Sequence, residues 1–295
     1  MIHRLTVLLT LALLLTGGLP AQAQMQIEGL GAADLALLGD AGMDEDTLHF
    51  DLVLSAAVTG DPTLAMGIDL SGTGAFGMDD VGLPLMTMDL EGTTTAPDQG
   101  EVAGFVQLRL VDNILYLLAE GQDAWQVMPL DEGLADAGLP ADTSEIAGAQ
   151  AVDFLGWLEF LGLEAFSSGA RSDADGMATI RIDVDLGAWL ASPTFSELMT
   201  VAGDVTADET LAAMGPMLGM LLQDLLLSIE SLVELDSGLT RQTSLDLGMA
   251  INAAALGGSA QSETTEITVT LAFDDMRYGG ALEVSVPEGA VPADA

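Results

Sequence analysis

His49 is the one histidine beyond the first few residues, and the chain contains neither cysteine nor lysine. Composition alone therefore excludes a cysteine nucleophile, a lysine Schiff base and a multi-histidine metal site. A Ser-His-Asp relay would have to run through His49, and no Gly-x-Ser-x-Gly elbow accompanies it. His49 falls on the polar face of an expected strand and the sequence identifies no partner for it, so a surface or loosely packed side chain is the better reading than a catalytic base. Paired carboxylates can hydrolyse glycosides. Among 46 acidic residues such pairs arise by chance, so they carry little information.

Asp173-Ala174-Asp175-Gly176 has the first half of a calcium-loop pattern, but the glutamate that should follow is missing. The Asp-Gly pair predicts a hairpin turn instead. Asp79-Asp80 and Asp274-Asp275 read as solvated turn residues that attract cations only weakly. Arginines 109, 171, 181, 241 and 277 are scattered, which leaves no footprint for phosphate or nucleic acid. Trp125, Trp157 and Trp189 are too few and too far apart to form a carbohydrate platform.

The charge balance is unusual. The 295 residues carry a formal charge of −40, yet 49% are apolar. Such a field repels nucleic acid and anionic membrane surfaces. The apolar residues must fill a core or line a cavity. Fifteen methionines are present, and Met66, Met86, Met88, Met214, Met217, Met220 and Met249 fall on expected apolar elements. Methionine suits a surface that accepts variable apolar partners, and it also fills ordinary cores.

These residues are held by elements whose period is legible. Leu48, Phe50, Leu52, Leu54, Ala56 and Val58 alternate with His49, Asp51, Ser55 and Ala57, which predicts a half-buried strand. Alternation continues through Leu64–Leu70, Met86–Leu90, Val102–Leu110, the apolar set Ile114, Tyr116 and Leu118, and Trp125–Val127, a meander of about six strands. Phe154, Trp157, Leu158 and Leu161 have helical spacing. Strands follow over Ala165–Ser172 and Ile180–Leu186. A second helical stretch is expected from about Ser192 to Asp236, opened by Pro216 and carrying Leu218, Leu221, Leu225, Ile229 and Leu232. Strands resume at Leu245–Ile251, Ile267–Phe273 and Leu282–Val286. A short helix is expected over Ala32–Leu38.

Residues 1–23 read as an export signal. Arg4 precedes an apolar run from Leu5 to Leu15, and Ala21-Gln22-Ala23 fits the small-x-small cleavage rule. That run is about 11 residues, where a span needs about 20. A mature chain beginning near Gln24 loses only Arg4 among its charges, so −40 becomes −41. It would be soluble outside the cytoplasm, periplasmic or secreted, and without disulfides. Residues 24–46 form a linker or short helix, 47–287 one domain, and 288–295 a fraying tail.

Val111-Asp112-Asn113-Ile114-Leu115-Tyr116-Leu117 is followed by Gly121-Gln122-Asp123-Ala124-Trp125-Gln126-Val127. This Tyr strand, turn and Trp strand resembles the LolA/LppX-like superfamily of extracytoplasmic proteins. The ending Leu282-Glu283-Val284-Ser285-Val286-Pro287 is similar as well. The resemblance covers roughly residues 30–290. It implies a half-barrel of antiparallel strands with helices closing a hydrophobic cavity for lipids or lipidated chains. Many relatives carry an N-terminal lipid-bearing cysteine, which this chain lacks.

The expected fold is thus α+β: a large curled antiparallel sheet with helices on its concave apolar face. The expected function is a non-enzymatic carrier or sensor of a lipid or other hydrophobic ligand, with no cofactor and no bound metal. The sheet's apolar face, Trp157, Met214, Met217, Leu218, Leu221, Leu222 and Leu225 are expected to line the site. The alternatives are an acidic envelope or surface interaction module with a filled core, and a carboxylate hydrolase, which would need a polar cleft.

Overall fold

The structure is a computed structural model. It describes residues 26–39, 47–60, 65–97, 100–130, 155, 158, 161–196, 224–252 and 264–292. The alternating segments form β1 (Thr47–Thr59), β2 (Met66–Met78), β3 (Pro84–Ala96), β4 (Gly100–Val111), β5 (Ile114–Ala119) and β6 (Gln126–Pro129). They are followed by β7 (Ser167–Ala174), β8 (Met177–Asp185), β9 (Leu226–Glu234), β10 (Thr240–Asn252), β11 (Thr264–Tyr278) and β12 (Val291–Pro292). Among the described residues α1 (Ala32–Gly39) and α2 (Leu186–Leu190) are helical, and Glu164–Phe166 forms a 3-10 turn.

All twelve strands join one open sheet, in the order β12-β6-β5-β4-β3-β2-β1-β11-β10-β9-β8-β7. Two meanders, β1–β6 and β7–β11, meet where β1 pairs with β11. Every pairing is antiparallel except the two-residue β12–β6 contact. Tight hairpins follow from turn chemistry. Asp112-Asn113 and Asp175-Gly176 have φ of 54°, 59°, 52° and 79°, the left-handed values a two-residue loop requires. The Asp173–Gly176 segment is therefore a hairpin, as its Asp-Gly pair predicts.

Register places the apolar sets on one face. Leu54 lies between Leu70 and Leu271, Leu271 faces Leu245, Leu245 faces Ile229, and Ile229 faces Ile182. The main core on this inner face runs from β11 through β1 to β5, and Leu52, Met88 and Leu108 are wholly buried in it. Each such aliphatic side chain stabilises the fold by about 1.5–3 kcal/mol. The sheet bends where inner-face glycines remove bulk. A β-carbon on Gly72 would lie 1.8 Å from the Asp89 carbonyl oxygen, and one on Gly92 would lie 1.8 Å from that of Asp69. Strand glycines of this kind mark close backbone approach and sharp curvature.

A second apolar cluster lies on the β8–β9 flank. Ile27, Leu158, Leu163, Ile182 and Val184 are buried there against residues of α1 and α2 and against Leu227. Asp185 caps α2 by accepting a hydrogen bond from the Ala188 N–H at 2.7 Å. Among the described residues, α1 and α2 pack on this flank. The broader helical cover expected over the concave face lies outside them.

Four expectations are corrected. The helix expected to continue to Asp236 gives way to β9, whose buried positions Ile229, Ser231 and Val233 alternate. Leu225, Ile229 and Leu232 therefore do not share a helix face. Leu282–Val286 pairs with no strand among the described residues. It lies instead as a strap, Leu282 and Val284 packing with Tyr116, Trp125 and Val127 on the outer face of β5 and β6. In β5 the main core is served by Leu115 and Leu117, while Ile114 and Tyr116 face this strap. Val291 and Pro292, expected in a fraying tail, pair with β6, and the Val291 N–H donates to the Trp125 carbonyl at 2.8 Å.

Candidate functional site

Burial on the inner face falls along the strands. At one end Leu48, Met86, Leu110, Leu115 and Met276 are buried. Toward the other end the same face opens. Val58, Met66, Val106, Met249 and Ile267 are only half-buried, and Val102 is 43% exposed. Four of these positions are contiguous by register: Val58 faces Met66 on one side and Ile267 on the other, and Ile267 faces Met249. Around β1, β10 and β11 the apolar face thus has a closed end and an open end, whereas on the β8–β9 flank Val184, at the same end, is wholly buried. The open end offers contact and desolvation to an apolar group.

Thr94 lies at this opening, between Val102 and Ile68 by register, while the buried polar pair of the inner face sits farther along the sheet. Ser231 and Thr243 are buried opposite each other, with their hydroxyl oxygens 3.2 Å apart. At the far edge Arg171 bridges Asp34 of α1 and Asp173, each at 2.7 Å. The Arg171 guanidinium, helped by the Gly31 N–H, holds the Asp34 carboxyl below its ordinary value. Asp173 is lowered by the same arginine.

The other arginines are also engaged. Arg109 takes both Asp89 oxygens at 2.8 and 3.0 Å, donates to the Met88 and Leu108 carbonyls, and lies 5.5 Å from the Trp125 ring centroid. Arg181 pairs with Asp183, Arg241 with Glu234 and Arg277 with Asp275. The Asp183 and Glu234 carboxyls are held low, Asp183 chiefly by Arg181 and Glu234 by the Ser237 hydroxyl and then Arg241. All five arginines of the described residues are therefore in ion pairs.

The outer face is polar and regular. Asp69, Ser55, Thr270, Asp246, Ser228 and Asp183 form one transverse row across β2, β1, β11, β10, β9 and β8. Ser55 donates to Asp69 at 2.7 Å and Thr270 to Asp246 at 2.6 Å. His49 lies on this face opposite Arg277 and Ala75. No group of three or more His, Asp or Glu side chains among the described residues is placed to hold a metal ion.

Of the site residues expected from sequence, Trp157, Met214, Met217, Leu218, Leu221 and Leu222 lie outside the described residues. Leu225 precedes β9, and its carbonyl accepts from the Gly187 N–H at 3.0 Å. Its backbone thus ties β9 to α2. The sheet's apolar face was expected to contribute to the site. Its division into closed and open ends was not foreseen, although the alternation of Val58, Met66, Met249 and Ile267 had placed those side chains on the right face.

An open, curled, largely antiparallel sheet with one apolar face defines the class of fold. No protein-family model matches the chain, and no curated protein does. Among solved structures, Rv2717c from M. tuberculosis is 12% identical, with 82% of this chain and 97% of that one covered and a TM-score of 0.19. A DUF1329 family protein from Desulfovibrio piger is 8% identical, with 85% and 92% covered and a TM-score of 0.26. A beta-barrel-like protein of domain of unknown function DUF1849 from Brucella abortus is 10% identical, with 79% and 98% covered and a TM-score of 0.18.

Proposed function

We propose that this protein is an exported, non-enzymatic carrier or sensor that holds the apolar part of a lipid or similar ligand against the open end of its inner face. The observation that carries this reading is the contiguous, half-buried apolar row at Val58, Met66, Met249 and Ile267. Each methylene withdrawn from water there is worth about 0.8 kcal/mol. The resemblance of the Val111–Val127 and Leu282–Pro287 segments to LolA/LppX-like proteins supports the same reading, and the Arg4–Ala23 pattern supports export. The negative exterior would keep a loaded carrier in solution. No helix among the described residues is long and apolar enough to cross a membrane.

Native mass spectrometry of the mature chain, purified without detergent and followed by solvent extraction, tests this. A stoichiometric extra mass that extracts as lipid is the expected result. A bare polypeptide that takes up no added lipid would overturn it.

A second reading is favoured by the Asp and Ser/Thr row on the outer face: an envelope interaction module with a filled core, assembled through bridging cations. It requires light scattering of the protein to rise on calcium titration, and the carrier does not.

A further inference from the structure

We propose that residues 281–292 form a releasable latch, which swings about Gly279 and Gly280 and uncovers an apolar groove on the outer face together with the edge of β6. β11 ends at Tyr278. The two glycines that follow have φ of 79° and 104°, left-handed values that side chains rarely adopt. They turn the chain onto the outer face, where a β-carbon on Gly280 would lie 3.7 Å from the His49 imidazole. The Gly279 N–H still donates to the Thr47 carbonyl at 2.8 Å, which fixes the near end of the strap. Its far end is fixed by the Val291 N–H on the Trp125 carbonyl. Between these two points the strap joins no ladder among the described residues. Leu282, Val284 and Ala290 are only partly buried in their cluster. Glu283, Ser285 and Glu288 are exposed, and Val286 is 52% exposed. A segment held by so few buried side chains belongs to the least stable part of a fold.

The groove beneath does not depend on the strap for its shape. Leu85, Val111 and Tyr116 form its floor, with Trp125 and Val127 beside them. Register sets Tyr116 between Arg109 and Val127. The Arg109 guanidinium, held by both Asp89 oxygens, lies 5.5 Å from the Trp125 ring centroid and steadies that wall. On the opposite side of β5, Leu115 and Leu117 anchor the strand in the main core. The sheet thus builds the groove, and the strap only fills it. β12 lies in the same segment as Leu282 and Val284, so one movement frees both the groove and the β6 edge. The open form presents an aromatic floor next to unpaired backbone groups of β6, two features that the closed chain masks together.

The chain has no cysteine, so a single introduced thiol reports the uncovering. Val127→Cys places it in the groove, and its reaction with N-ethylmaleimide is followed in the folded full-length chain, beside urea unfolding of the same variant. We expect labelling at least about tenfold faster than global unfolding permits, with little dependence on urea below the transition. Adding Val284→Asn should speed labelling about tenfold, the scale of one half-buried valine. The same change should speed hydrogen exchange at the Val291 N–H, seven residues away, to a similar extent, while the amides of β2 and β3 keep their protection. Labelling that only tracks global unfolding makes the strap part of the cooperative core and overturns the latch. So does a Val284→Asn variant in which β2 and β3 lose protection as much as Val291 does. Exchange at Val291 that ignores Val284→Asn reduces the segment to a fraying end, and overturns it as well. Should Val127→Cys fail to fold, exchange at Val291 with and without Val284→Asn decides the matter alone.

Discussion

The Phe50 ring lies directly over Gly74, its partner across the β1–β2 pair, and a β-carbon on Gly74 would come within 2.4 Å of it. The ring also meets Phe273 edge-on, with centroids 5.2 Å apart. Phe50 thus spans the seam where the two meanders join. Gly74→Val should force the ring off its rotamer and destabilise the fold by about 1–3 kcal/mol. Urea unfolding checks this, and an unchanged midpoint would mean that the seam is looser than the packing implies.

Ser231 and Thr243 satisfy each other inside the sheet. Ser231→Ala leaves the Thr243 hydroxyl without that partner, at a cost of about 1–3 kcal/mol. The double variant Ser231→Ala, Thr243→Val removes both polar groups and should recover most of the loss. A double-mutant cycle in urea measures the coupling, and strictly additive effects would count against the pair.

The Arg171 contacts give a pH signature. Asp34 titrates below its ordinary value of 3.8 in the folded chain because Arg171 and the Gly31 N–H stabilise its charged form. A depressed carboxyl contributes stability above its unfolded value and loses it as pH falls through the folded one. The stability gap between wild type and Arg171→Gln should therefore be widest near neutrality and narrow as pH falls below 3.8. A gap that stays constant to pH 2.5 would show that Arg171 acts by packing.

The chain carries a formal charge of −40 at pH 7. Salt shortens the screening length from about 10 Å at 0.1 M to about 3 Å at 1 M. The thermal midpoint should rise with sodium chloride over that range, since self-repulsion opposes the compact state. A flat response would indicate that the charges are already spaced beyond mutual reach.

The first meander was legible because its strands have one polar and one apolar face, so period two stands out. β9 was not. Leu225, Ile229 and Leu232 fit a helix, and Ser231 interrupts the apolar alternation that would have announced a strand. The hydrogen bond that lets Ser231 be an interior residue is shared with Thr243 on the next strand, a partner the local pattern does not reveal. The Leu282–Val286 alternation is real, but its side chains are satisfied by Tyr116 and Trp125 without ladder bonds. In β5 both faces are covered, so alternation alone could not choose between Leu115 and Tyr116. The open end of the inner face was invisible for a similar reason. Val58 and Leu52 look alike in sequence, and only the neighbours brought in by the fold distinguish them.

An open sheet has two outermost strands, and each offers backbone donors and acceptors to any passing extended chain. Here β12 is only two residues long and contains Pro292, which has no N–H to give. On the other side Gly169 of β7 already donates to the Glu28 carbonyl at 2.7 Å, and the strand ends in Asp173 and a charged hairpin. Both margins are thus poor templates for intermolecular pairing. A protein with so much apolar surface along its strands is thereby protected from stacking edge to edge into aggregates, even when its inner face stands open.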